Sequence, residues 1–256
     1  MKKVLATFLA LAAFSLQAET LRVAATAVPH AEILEHLRPA MAEQGIHLEV
    51  RVFTDYVQPN TQVNEGRLDA NFFQHLPYLE NFNASRNTQL VSLAGVHVEP
   101  FGAYSVRYTS LEDLPQRAQI AVPNDATNGG RALLLLQEAG LIRLNPEAGI
   151  TATPRDIIDN PKRLRFRELE AATLPRVLNQ VDLALINTNY ALEAGLNPAA
   201  DAIVIEGAES PYVNILVVHR DRAEDPALQV LVNTLKSETS RQFIEERYQG
   251  AVVPAF

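Results

Sequence analysis

The stretch VPNDATNGGRALLLL, Val122–Leu136, decides how this chain is read. Gln119 to Val122 has the apolar character of a short strand, Asn124 to Asn128 form a polar turn, and Gly129-Gly130-Arg131 opens an apolar helical run closed by Gly140. A strand that passes through a polar turn into a helix is the building unit of an α/β sheet. The unpaired N–H groups at a helix start carry partial positive charge and favour an anion. The two glycines let a ligand approach the backbone, and Arg131 adds a guanidinium that can grip a carboxylate through two hydrogen bonds. The turn has neither the spacing nor the lysine of a P-loop, so it is a poor fit to a nucleotide. A plainer reading is a capped helix, with Asp125 or Thr127 as N-cap and Arg131 in a surface ion pair. The stretch alone leaves both open.

Outward from this unit the same alternation continues. Leu164 to Glu168 reads as a strand, Leu174 to Asn179 as a short helix, Asp182 to Ile186 as a strand, and Tyr190 to Ala194 as a helix closed by Gly195. Upstream, Leu21 to Ala25 is a strand and Ala31 to Glu43 a helix with Ile33, Leu34, Leu37 and Met41 on one face. Ile46 to Phe53 alternates as a strand with Ile46, Leu48, Val50 and Val52 pointing one way. A polar helix around Thr61 to Glu65, a strand at Asp69 to Phe72 and a helix through Pro77 to Asn83 complete a first α/β unit. Ala103 to Tyr108 and Tyr212 to His219 read as extended crossovers, and Pro226 to Tyr248 as helical. The predicted fold class is therefore α/β with two doubly wound domains joined by two crossover segments. Residues 19–105 with 216–256 form lobe 1, and 106–215 form an inserted lobe 2, with the ligand cleft between them.

Composition narrows the function. Of 256 residues, 22 are basic and 30 acidic, a formal charge of −8, and no basic run tracks phosphates, which argues against nucleic acid. Lys2 and Lys3, the apolar Val4 to Leu16 and Leu16-Gln17-Ala18 read as a signal peptide, residues 1–18. There is no cysteine, which excludes disulfides, thiolate metal sites and acyl attachment at cysteine. These readings predict a mature protein free in the periplasm, without a lipid anchor.

Three further stretches can carry chemistry. Asn187-Thr188-Asn189-Tyr190 follows a strand, at the end where open α/β sheets bind ligands, although asparagine also caps and turns everywhere. Asn71 to Leu79, with Tyr56, gathers Phe72, Phe73, Tyr78, His75 and an amide near a strand-to-helix turn, a wall suited to a thioether. Core packing is the expectation for Phe72, and a satisfied structural role is the commoner fate of such a histidine. Asn214 stands in an apolar extended segment, where an amide is costly unless bonded.

The stretches DYVQPN (55–60), NFFQHLPYL (71–79), VPNDATNGGRALLLL (122–136), ELEAATLPR (168–176), VDLALINTNYALEAGL (181–196) and SPYVNILVV (210–218) together resemble the NlpA family, the methionine-binding proteins of bacterial methionine ABC importers. The resemblance runs from about residue 21 to the C-terminus. It implies a two-lobed, type II-like periplasmic binding protein fold. It also implies a ligand carboxylate on Arg131, a side chain among Tyr56, Phe73, His75 and Tyr78, and a head group held by Asn128, Asn187 and Asn214. The implied ligand is L- or D-methionine or a methionine-containing dipeptide, and the implied partners are an inner-membrane ABC permease and its ATPase, served by a monomer with no cofactor. Many members carry a lipid on a cysteine after the signal, and this chain departs from that pattern. A rival reading places an enzyme on the same scaffold, such as a periplasmic dehydratase of a small carboxylic acid, with His75 as the one acid–base candidate and no carboxylate partner in sight. A metal receptor is disfavoured because the six histidines are scattered and none has i, i+4 spacing beside an acid.

Overall fold

A computed structural model describes residues 19–207 and 210–256; the expected signal peptide, residues 1–18, lies outside the described residues. The chain opens with β1 (Glu19–Ala25), β2 (Ile46–Val52), β3 (Ala70–His75) and β4 (Leu90–Val98). It then builds β5 (Gly102–Tyr104), β6 (Gln119–Pro123), a small hairpin of β7 (Arg143–Leu144) and β8 (Ile157–Asp159), β9 (Arg165–Leu169), β10 (Leu183–Ile186) and β11 (Val204–Ile205). It returns as β12 (Val213–His219) and ends with β13 (Val253–Pro254).

These strands form two main sheets, β13-β4-β12-β3-β1-β2 and β11-β5-β10-β6-β9. Each is built alike. In the first, β1 pairs in parallel with β2 and β3, and β12 is antiparallel between β3 and β4. In the second, β6 pairs in parallel with β9 and β10, and β5 is antiparallel to both β10 and β11. One antiparallel strand per sheet is thus contributed by a segment that has just arrived from, or is about to leave for, the other sheet. Two α/β lobes joined by two crossovers result. No repeat of fixed period marks this duplication in the sequence, because the likeness lies in the order of pairing.

The crossovers differ in detail from the sequence expectation. Gly102–Tyr104, read as part of lobe 1, pairs in the second sheet, and Val213–Ile215, read as part of lobe 2, pairs in the first. An extended apolar segment has no mark of its own for the sheet that will accept it. Pro226 to Tyr248 is two helices, Pro226–Leu235 and Glu238–Tyr248, with the Ser237 side chain accepting from the Ser240 N–H at the second N-cap. Both pack in the first lobe: Leu228, Leu231, Leu235 and Ile244 share a core with Ile33, Leu34, Leu37 and Met41 of the helix Glu32–Glu43. β2 buries Ile46 and Leu48 as its alternation predicts, but Val52 is 56% exposed, because β2 is the sheet edge.

The helix after β6 spans Ala126–Glu138, starting five residues before Arg131, with Asp125 as N-cap. Its glycines serve helix packing: a Cβ on Gly129 would lie 2.9 Å from the Pro123 carbonyl oxygen, and one on Gly130 would lie 2.8 Å from the Ile150 carbonyl carbon. Backbone neighbours cannot move aside as a flexible side chain does. Gly130→Ala should therefore cost about 1–3 kcal/mol of stability through overpacking, measured by urea denaturation; a loss below about 0.5 kcal/mol would mean that the Gly149–Thr151 turn relaxes freely.

Candidate functional site

A small, largely enclosed pocket lies between the sheets. The first lobe contributes Tyr56, Phe73, Gln74, His75, Tyr78 and Asn214, and the second contributes Asn128, Arg131, Asn187, Thr188 and Asn189. Glu99, at the crossover after β4, closes the list. The eight residues singled out from the sequence, Tyr56, Phe73, His75, Tyr78, Asn128, Arg131, Asn187 and Asn214, all lie on this wall. Phe73 and His75 come from β3, Tyr78 from the helix that follows it, Tyr56 from the loop after β2, Asn128 and Arg131 from the helix after β6, Asn187 from just past β10, and Asn214 from within β12.

Arg131 is 3% exposed, so it makes no surface ion pair. Its Nε donates to Glu206 Oε1 at 2.8 Å, and Nη2 to Glu206 Oε2 at 2.5 Å and to the Glu99 carbonyl at 2.9 Å. The guanidinium lies 4.1 Å from the Tyr212 ring centroid and 5.1 Å from that of Phe101. Such stacking suits the flat arginine head and not an ammonium. Phe101 and Glu99 belong to one crossover, Tyr212 and Glu206 to the other. Nη1 has no partner among the described residues.

A chain of side-chain hydrogen bonds crosses the cleft. Asn128 Nδ2 donates to both Asp125 oxygens, at 2.9 and 3.0 Å, and its Oδ1 accepts from Asn187 Nδ2 at 2.8 Å. The same Oδ1 lies 3.2 Å from His75 Nε2, and His75 Nδ1 accepts from the Tyr78 N–H at 3.2 Å. These partners assign the Nε2–H tautomer. Burial, then the Arg131 charge, lowers the His75 pKa to about 3, so the ring is neutral near pH 7 with both nitrogens engaged. Tyr56 OH donates to Asn189 Oδ1 at 2.6 Å, and Tyr190 OH donates to the Thr54 carbonyl at 3.0 Å, tying the lobes further. Asn187 Oδ1 and Asn189 Nδ2 are buried without a partner among the described residues. A buried acceptor or donor left unpaired is costly unless something bonds it.

The apolar side of the cavity is aromatic. Tyr56 meets Phe73, Tyr78 and Tyr190 at ring-centroid distances of 5.8, 5.9 and 5.0 Å. Phe72 faces the other side of β3 and is fully buried in the first-lobe core, as its expected role requires.

Sequence reasoning passed over Gln74, Glu99, Thr188 and Asn189. Gln74 joins a buried amide network in which its Nε2 donates to Asn60 Oδ1 at 2.6 Å and Asn71 Oδ1 at 2.8 Å. Thr188 donates to the Pro100 carbonyl, pinning the second lobe to the crossover. The histidines are scattered in the chain but not in space. His30 Nε2 and His97 Nε2 lie 3.2 and 2.8 Å from Glu99 Oε1, and all three residues are buried. One signal was present: His97 and Glu99 are two apart at the end of an apolar strand, and so share a face.

Burial holds the His30 ring at a pKa of about 4 and those of His75 and His97 at about 3. An unfolded histidine takes a proton near pH 6.5, so between these values the unfolded chain binds protons that the folded one refuses. Stability should fall as pH drops below about 6.5, offset at the acid end by Glu99 and Asp125, whose carboxyl pKa values burial raises. Urea midpoints at pH 7, 6 and 5 should decline in that order, and the nitrogen shifts of the three imidazoles should stay those of neutral rings at pH 5. A ring that protonates near pH 6.5 contradicts this arrangement.

The NlpA lipoprotein family pattern matches residues 21–256. A probable D-methionine-binding lipoprotein of Vibrio cholerae is 42% identical over 214 residues, 84% of this chain and 80% of that one. A nutrient-binding protein of Burkholderia cenocepacia, solved bound to methionine, is 44% identical with a TM-score of 0.90, covering 92% of this chain and 100% of that one. A periplasmic substrate-binding protein of an ABC transporter from Coxiella burnetii is 43% identical with a TM-score of 0.88, covering 92% and 100%.

These relatives correct one expectation. A mature protein free in the periplasm with no lipid anchor was predicted from the missing cysteine, whereas the family is described as one of lipoproteins and the Vibrio relative is named as one. Residue composition limits attachment chemistry within the residues counted; it does not locate a protein. No described helix is long and apolar enough to cross a membrane. With nearly the whole chain matched by the family pattern and more than two-fifths identity to these relatives, this protein belongs to the NlpA lipoprotein family.

Proposed function

We propose that this protein is a solute-binding protein that captures methionine, as the L or D isomer or within a small dipeptide, and passes it to an ABC importer. The observation that carries the reading is the pairing, in one buried cavity, of the Arg131 guanidinium and unpaired amide groups with the ring wall of Tyr56, Phe73 and Tyr78. In this reading the ligand carboxylate meets Arg131 Nη1 and the amide donors, while a thioether side chain lies against ring edges, a favourable contact for sulfur. Asn128, Asn187 and Asn214 serve the head group, and His75 orients Asn128 while closing the wall. Affinity of micromolar or better corresponds to about −8 kcal/mol or beyond, within reach of a charge-assisted pair, a few amide bonds and an aromatic slot.

The two lobes would close on the ligand by hinging where the chain passes between sheets, after β4 and after β11. The closed monomer would then be what a permease and its ATPase receive. Relatives are named for binding and transport, which supports a protein without catalysis. His75 fits a dehydratase base poorly, because its Nε2 proton is held toward Asn128 and its Nδ1 lone pair by the Tyr78 N–H.

A melting panel of amino acids, dipeptides, keto acids and zinc tests the reading, since a ligand bound only by the native state raises the midpoint. Methionine should give the largest rise. Arg131→Ala would leave Glu206 buried without its cation, so the informative variant is Arg131→Lys, which keeps the charge and loses the fork. Calorimetric titration should show at least about tenfold weaker methionine binding for Arg131→Lys and for Asn214→Ala. Affinities within twofold of wild type would place the carboxylate elsewhere.

A further inference from the structure

We infer that Glu99, oriented by His30 and His97 and joined by Asn187 Oδ1, is the receptor for the free α-ammonium group of the ligand. The inference rests on the amino-acid reading above and deepens it.

Glu99 stands one residue past β4, where the chain leaves the first sheet, and lines the cavity while only 6% exposed. Its Oε1 accepts from His97 Nε2 at 2.8 Å and faces His30 Nε2 at 3.2 Å. Thr26 Oγ1 sits 2.8 Å from His30 Nδ1, and Asn214 Oδ1 lies 3.0 Å from His30 Nε2. Asn214 and Glu99 can only accept there, so Nε2 carries the proton and the Thr26 hydroxyl donates to Nδ1. Both imidazoles are therefore neutral donors. They fix the carboxylate's direction and stabilise its charge without cancelling it.

The nearest cation cannot cancel it either. Arg131 spends Nε and Nη2 on Glu206 and reaches Glu99 only at its backbone carbonyl. Two carboxylates, Glu99 and Glu206, thus share one guanidinium, and a buried charge without a partner is expensive. A ligand ammonium supplies the missing charge. A second, separate observation points the same way: Asn187 Oδ1, on the same cavity wall, is a buried acceptor with no partner among the described residues. The bond from Arg131 to the Glu99 carbonyl ties the guanidinium to the residue that carries the second carboxylate, and both line the same cavity. A head group whose opposite charges are separated by one carbon can meet both at once.

The site should consequently demand an unmodified amine. Titration of the wild type with methionine and with 4-(methylthio)butanoic acid, the same molecule without its amine, should give affinities at least about a hundredfold apart, with N-acetylmethionine as weak as the deaminated acid. Glu99→Gln should shrink that ratio at least about tenfold by weakening methionine alone. Equal wild-type affinity for the pair, or an unchanged ratio in Glu99→Gln, overturns the inference. If the variant does not fold, equal wild-type affinity for the pair still overturns the inference.

The same three side chains present ligand atoms within 4.8 Å of one another, so zinc is titrated in parallel. Stoichiometric zinc binding that Glu99→Gln removes, with the amine ratio unchanged, would reassign the trio to a metal and overturn the inference. If methionine fails to bind the wild type, the proposed function falls, and the amine pair is rebuilt on whichever amino acid the melting panel finds. If none binds, both readings fall.

Discussion

A buried guanidinium must have its charge answered, and the surroundings of Arg131 follow from that requirement. Its position after β6 would place it at a helix start in many α/β proteins, where solvent could answer it. Here the two passages between the sheets converge on it, Glu99 and Phe101 from one and Glu206 and Tyr212 from the other. The fork on Glu206 fixes the plane of the guanidinium, the Tyr212 and Phe101 rings lie within 4.1 and 5.1 Å of it, and the Glu99 carbonyl takes a third bond. One side chain of the second lobe is thus bound to both segments about which the lobes could move. Ligand charge and lobe position meet in a single residue.

Around that centre the cavity wall is polar by construction. Asp125 caps its own helix and at the same time anchors Asn128, which accepts from Asn187 within its lobe and from His75 across the cleft. Three histidines are held neutral by burial, and each uses both a donor and an acceptor nitrogen or, for His97, one donor to Glu99. Neutral imidazoles give direction without charge. Most of the site's electrostatics is therefore carried by Arg131, Glu206, Glu99 and Asp125, and the aromatic wall lies opposite. Such a division suits a zwitterion with an apolar tail.

The two sheets show how much of the fold was legible. Strand, turn and helix could be read from periodicity at β1, β2, β6 and β10, where apolar residues recur at the spacing of their element. The helix after β6 was read too short, because its first turn is polar: Asn128 lines the cleft and Thr127 donates to the capping Asp125. The lobe boundaries were drawn a few residues off at the crossovers, with β5 given to the first lobe and the start of β12 to the second, since an apolar extended segment fits either sheet. Gln74, Thr188 and Asn189 were in view as letters of motifs, but amides and hydroxyls bond in so many ways that only their neighbours give them a role.

Local sequence determined the elements, the absence of thiol chemistry, and the candidate residues at strand ends, because propensity, composition and motif are properties of short stretches. Family likeness added the expectation that they share a cleft. Tertiary structure alone decided that Arg131 is answered by Glu206, that His30 and His97 close on Glu99, and that Asn187 keeps a buried oxygen unpaired. Those facts depend on pairs up to 75 residues apart, and no short stretch carries the distance between its residues and a partner brought in by another sheet.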